Sequence, residues 1–76
     1  MTFVLIDELP KEIQAELRNN KDLKYVDIWW LNYTNEEGEE YSEIYLSDEN
    51  TGETLLQGGT WGWTDNLEDA LEELKG

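Results

Sequence analysis

Apolar and polar positions along the chain change period several times, and each change marks an element. Thr2 to Ile6 is a short β-branched and apolar run suited to a buried or edge strand. Leu9, Ile13 and Leu17 then recur at i, i+4 and i+8. That spacing predicts a helix ending near Asn19–Asn20, with Asp7 placed to cap it and Pro10 in a first turn that needs no N–H donor. From Lys24 to Thr34, Val26, Ile28 and Trp30 fall on one face of an extended chain, and Tyr25, Trp29, Leu31 and Tyr33 on the other. Asn35-Glu36-Glu37-Gly38 supplies turn chemistry, after which Tyr41, Glu43 and Tyr45 alternate with Ser42, Ile44 and Leu46 across Glu39 to Ser47. These two runs predict a hairpin. Asp48 to Gly52 is a second turn, with Gly52 suited to a positive φ, and it leads into a strand from Glu53 to about Gln57. Gly58 to Trp63 follows as a distorted strand end or a loop. Asp65 with Glu68 has the form of a capping box. Leu67, Ala70, Leu71 and Leu74 then make one apolar helical stripe, opposite Glu68, Asp69, Glu72 and Glu73.

The implied class is α+β, one acidic domain over residues 1–76. A three-stranded antiparallel sheet, four-stranded if Thr2 to Ile6 joins it, carries an N-terminal and a C-terminal helix on the face bearing Val26, Ile28, Ile44 and Leu46. Trp29 and Trp30 are neighbours on a strand and so point to opposite sides, which leaves at least one of them outside the helix layer. Tyr25, Trp29 and Tyr33 share their face with Tyr41 and Tyr45, an aromatic ladder with Asp27 and Glu43 among its rungs. Such a ladder serves either to stabilise an open sheet or to bind a partner. Trp61 and Trp63 flank Gly62 just before the last helix, and a core this small is expected to use one or both as a cap.

Charge sharpens the picture. The chain has 76 residues and a formal charge of −14, whereas solubility alone asks for a magnitude of about 2 to 8. Four bases against five acids leave residues 1–24 nearly neutral, while residues 25–76 hold fourteen acids and only Lys75. Helical residues four apart, as Glu68 and Glu72 or Asp69 and Glu73, lie roughly 6 Å from each other. Alternate strand residues such as Glu37 and Glu39 lie roughly 6.5 to 7 Å apart. Successive phosphates of a nucleic-acid strand have similar spacing, so Glu36, Glu37, Glu39, Glu40, Glu68, Asp69, Glu72 and Glu73 can stand in for them on a basic protein. Trp29, Tyr33, Trp61 and Trp63 are the candidate anchors of that contact. The same charge repels phosphates, so the chain itself is expected to bind no nucleic acid. A solvated face serving solubility is the plainer alternative.

Catalysis has little to draw on: there is no His, no Cys and no glycine-rich loop joined to a lysine. Ser42 and Ser47 have no neutral base to activate them, and so small a body offers no cleft to desolvate a carboxylate. The expectation is a protein that is not an enzyme and uses no cofactor. Asp48 to Glu53 has calcium-type ligands but lacks the spacing and the terminal bidentate Glu of a calcium loop, so it reads as a polar turn and no metal is expected. Absence of cysteine fits a reducing cytoplasm. The longest apolar run, Phe3 to Ile6, is far short of the roughly 20 residues that span a bilayer, so no membrane association is expected.

The order helix, three-stranded meander, helix from about Leu9 to Lys75 resembles phage-encoded inhibitors of host defence enzymes, notably some anti-CRISPR proteins. The acid-rich stretches Glu36-Glu37-Gly38-Glu39-Glu40 and Asp65 to Glu73 accompany it. Uracil-DNA glycosylase inhibitors and anti-restriction proteins share this acidic character. The resemblance implies DNA mimicry: a stoichiometric inhibitor covering the nucleic-acid-binding surface of a CRISPR effector or other nuclease, in the host cytoplasm if phage-encoded. It assigns no individual residue. The competing expectations are an adaptor or peptide-binding module that uses the aromatic sheet face, and an immunity protein against a basic toxin.

Overall fold

The alternation in the middle of the chain becomes a long antiparallel hairpin in the computed structural model, which describes residues 2–17 and 23–75. Strand β2 (Tyr25–Thr34) pairs with β3 (Glu40–Asp48), setting Ile28 opposite Leu46 and Trp30 opposite Ile44 on one face. Trp29 faces Tyr45, and Tyr33 faces Tyr41, on the other. Gly38 allows the turn by taking φ 83°, a left-handed conformation open to residues without a Cβ.

The N-terminal run forms strand β1 (Thr2–Leu5), antiparallel to β2 with Val4 opposite Val26, so the sheet is four-stranded in the order β1-β2-β3-β4. Strand β4 (Thr54–Trp61) runs past the expected end at Gln57 and keeps Gly58 and Gly59 in the ladder, opposite Ile44 and Glu43. Glycine usually weakens a strand, but Gly58 has a packing reason to be here. A Cβ at that position would lie 3.2 Å from the Glu73 carbonyl oxygen, so the last helix crosses β4 where no side chain intervenes.

Two helices complete the α+β fold, α1 (Lys11–Glu16) and α2 (Leu67–Leu74). Asp7 does not cap α1. It sits in a 3-10 turn over Ile6–Glu8, and Pro10 occupies the N-cap position without a side-chain bond. The expected end near Asn19–Asn20 lies outside the described residues. The cap of α2 is also one residue later than the capping-box pattern suggests: Asn66, not Asp65, accepts from the Asp69 amide at 2.9 Å. Both residues are good caps and both have an acid three positions on, so the sequence contains two registers; the later one puts Ala70 fully inside.

Leu9, Ile13 and Leu17 are buried together with Val4, Val26, Ile28, Ile44, Leu46 and Ala70 in one cluster, and Trp30, Leu67, Leu71 and Leu74 pack at its edge. Among the described residues no helix is long and apolar enough to cross a membrane.

Candidate partner-binding surface

The β2–β3 turn is the most acidic segment, and its shape is set by one side chain. Asn35 Oδ1 accepts from the Glu37 amide at 3.0 Å and the Glu39 amide at 2.9 Å, while its Nδ2 donates to Glu39 Oε1 at 3.2 Å. An Asn that bonds the backbone two and four residues on fixes the turn from within. Glu36, Glu37, Glu39 and Glu40 therefore project into solvent from an ordered loop.

Beside this loop the strand register gathers aromatic rings. Tyr33 stacks on Tyr41 with centroids 5.0 Å apart, and Tyr41 meets Trp61 edge-on at 6.0 Å. Trp63 Nε1 donates to the Tyr33 carbonyl at 3.2 Å, and the Gly62 amide donates to the Glu40 carbonyl at 2.7 Å. Trp61 is 72% exposed and Trp63 51% exposed. Neither caps the core as their position before α2 suggested. Hydrogen bonds from Asn32 and Thr64 tie the segment after Trp63 back to the sheet, and this turns the indole of Trp63 along β2 instead of under the helix.

Trp29 stands farther along the same face. It stacks on Tyr45 at 4.3 Å, and its Nε1 donates to Ser47 Oγ at 3.1 Å. Between the two stacked pairs sits Glu43, whose Oε2 accepts from the Tyr45 hydroxyl at 2.5 Å. That hydrogen bond is the main reason the Tyr45 phenol is pushed up to about 12, with desolvation next. Tyr33 is raised as well, first by desolvation and then by the Glu43 charge. A depression of about 530 Å³ opens over Gly59, between Tyr41, Glu43 and Trp61. The missing side chain at Gly59 leaves this space, and the expectation of a strand ending at Gln57 hid it from the sequence.

The second acidic group lies on α2, apart from the hairpin loop in the chain. Glu68, Asp69 and Glu72 are exposed as expected, but Glu73 is half-buried because its turn of helix crosses Gly58. Glu72 pairs with Lys75 at 3.1 Å, the one ion pair among the described residues, and this bond raises the lysine pKa. The hairpin glutamates have no such counter-charge among the described residues. The eight acids form two groups along the chain, and the hairpin group adjoins Tyr33 and Trp61 through the β2–β3–β4 ladder.

Asp48 to Glu53 is a turn. The Asp48 side chain accepts from the Asn50 amide at 2.8 Å, the Asp48 carbonyl accepts from the Gly52 amide at 2.9 Å, and Gly52 has φ 77°. Among the described residues no three acids are grouped to hold a metal ion. Ser42 Oγ lies 2.6 Å from Thr64 Oγ1 in the interior.

One residue was visible in the ladder but not in its true setting. Asp27 is only 8% exposed, and its Oδ1 has no hydrogen-bond partner among the described residues. A lone acid in an aromatic strand looks like a solvent-facing polar position, and only the pairing with Phe3 and Ser47 covers it.

Comparison with known protein families, with curated proteins and with solved structures gives no match.

Proposed function

We propose that this protein is a stoichiometric inhibitor that occupies the nucleic-acid-binding surface of a basic partner, such as a CRISPR effector or another nuclease. It acts by occlusion, with no chemistry of its own, in the cytoplasm where such targets work. The observation that carries this is the ordered loop of Glu36, Glu37, Glu39 and Glu40 lying beside the half-buried ring of Tyr33 and the exposed rings of Trp61 and Trp63. Fixed carboxylates can replace phosphates at lysine and arginine sites without paying for loop ordering on contact. The adjoining indoles supply apolar area that a phosphate chain lacks, which converts attraction into residence. Leu9, Ile13, Leu17 and Ala70 share the core with Val26, Ile28, Ile44 and Leu46, so on this reading both helices lie on that sheet face and leave the aromatic face for the partner. The resemblance to phage-encoded inhibitors points the same way.

The stacked Trp29–Tyr45 pair favours a second function, a module that takes a basic peptide along the whole aromatic face. One experiment separates the two. Purified CRISPR effectors and nucleases are titrated with the protein in the presence of labelled nucleic acid at low and physiological salt. Mimicry requires displacement of the nucleic acid and steep weakening with salt, since the Debye length falls to roughly 8 Å near 0.15 M. Replacing Glu36, Glu37, Glu39 and Glu40 by lysine abolishes displacement, and Glu12 with Glu16 replaced likewise has little effect. A bound partner that keeps its nucleic acid refutes mimicry. Loss of binding through Trp29→Ala, with the lysine variant still active, selects the peptide module.

A further inference from the structure

Asp27 is a carboxylate on the aromatic face near the start of β2, and its surroundings have the form of a socket. Phe3 flanks it from β1, Ser47 from β3, and Trp29 follows it along β2. These residues, with Asp48 and Glu49 on the rim, line a recess of about 330 Å³. Phe3 is 61% exposed and stands as one wall of the opening. Ser47 Oγ is engaged by the Trp29 indole N–H, which fixes that ring as the other wall. One Asp27 oxygen, Oδ1, is buried at this recess with no hydrogen-bond donor among the described residues, and a buried acceptor without a donor costs stability that a suitable ligand can restore. No base among the described residues pairs with it.

Three features define what would satisfy this recess: an unpaired carboxylate oxygen, two aromatic walls and a rim of further negative charge. A metal ion is the wrong occupant, because among the described residues no three acids are grouped to coordinate one. A guanidinium is the right one. It is planar, stacks on aromatic faces, sheds water more readily than an ammonium, and donates two parallel hydrogen bonds to a carboxylate. We infer that the Asp27 recess is a socket for one arginine side chain of the partner, a specific contact beyond the phosphate-like attraction of the hairpin loop. The socket rests on the proposed function only in that the partner is basic.

The probe is N-acetyl-arginine methylamide, titrated into the isotopically labelled protein at low salt and followed by amide and indole NMR shifts. Saturable shifts are expected at Phe3, Asp27, Ser47 and the Trp29 indole N–H. Asp27→Asn keeps the shape and removes the charge, so it should weaken binding about tenfold or more. Phe3→Ala removes an exposed wall without touching the core and should weaken it as well, which serves if the Asp27 variant misfolds. Shifts spread evenly over the acidic surface, or unaltered by both variants, overturn the socket. Equal binding of the lysine analogue overturns the assignment to arginine. The variant with Glu36, Glu37, Glu39 and Glu40 changed to glutamine should keep these shifts while losing nucleic-acid displacement. For the unmodified protein, failure to displace nucleic acid with the shifts intact refutes mimicry alone, and absence of the shifts with displacement intact refutes the socket alone.

Discussion

Replacing Thr64 by valine removes one hydroxyl from the interior and leaves the side-chain shape almost unchanged. Thr64 is 2% exposed, Ser42 is fully buried, and their oxygens lie 2.6 Å apart, a short bond between two groups that have lost water. Thr64→Val leaves the Ser42 hydroxyl buried without that partner, which costs about 1 to 3 kcal/mol. The whole domain, at 76 residues, is held by roughly 4 to 11 kcal/mol. A midrange loss of about 2 kcal/mol lowers the melting temperature by roughly 8 to 16 °C in a domain of this size. Ser42→Ala removes the other hydroxyl, and the double variant then has no orphan. Its cost falls short of the sum of the single costs by about 1 kcal/mol. Urea unfolding followed by tryptophan fluorescence measures all four proteins. The reasoning is refuted if the single costs add within about 0.5 kcal/mol, because the two hydroxyls would then not depend on each other.

Two further outcomes follow from bonds at the candidate surface. The Tyr45 phenol, pushed up to about 12 by Glu43, should ionise later than an ordinary tyrosine in an ultraviolet phenolate titration, and Glu43→Gln should bring it back toward about 10. A raised phenol pKa favours the neutral native form, so this contribution is complete below pH ~10 and is lost as the pH rises from there toward 12. Asn35→Ala should cost about 1 kcal/mol and speed hydrogen exchange at the Glu37 and Glu39 amides, with exchange in β2 and β3 changed far less; unchanged exchange at those two amides would mean that Asn35 does not order the loop.

Much of the sheet was legible because its alternation is strict. Val26, Ile28, Ile44 and Leu46 are all fully buried, as a period of two requires, and Trp29 and Trp30 part to opposite faces. What local pattern could not carry was contact between distant segments. Gly58, beside Gly59, looks like a strand break until Glu73 is known to cross it. Trp61 and Trp63 look like core aromatics until the bond from Asn32 to the Thr64 carbonyl and that from the Trp63 indole to the Tyr33 carbonyl turn the segment along the sheet. Asp27 looks solvated until Phe3 covers it from a strand more than twenty residues away. The acid positions of the hairpin loop needed only the sequence, whereas the order imposed on them by Asn35 needed the turn geometry.

The sheet ends in two open edges, β1 and β4, next to a face on which Phe3, Tyr25, Leu31 and Trp61 stand exposed. Edges and rings of this kind ordinarily draw copies of a chain together into aggregates. Here every copy carries −14, so each approach of like to like is opposed before the rings can meet. Charge thus acts as a colloidal coat over an adhesive aromatic face, one that holds anionic surfaces off and lets the cationic partner proposed above approach. Acidification toward the isoelectric point near pH 4.1 strips the coat and exposes homotypic association as its latent alternative.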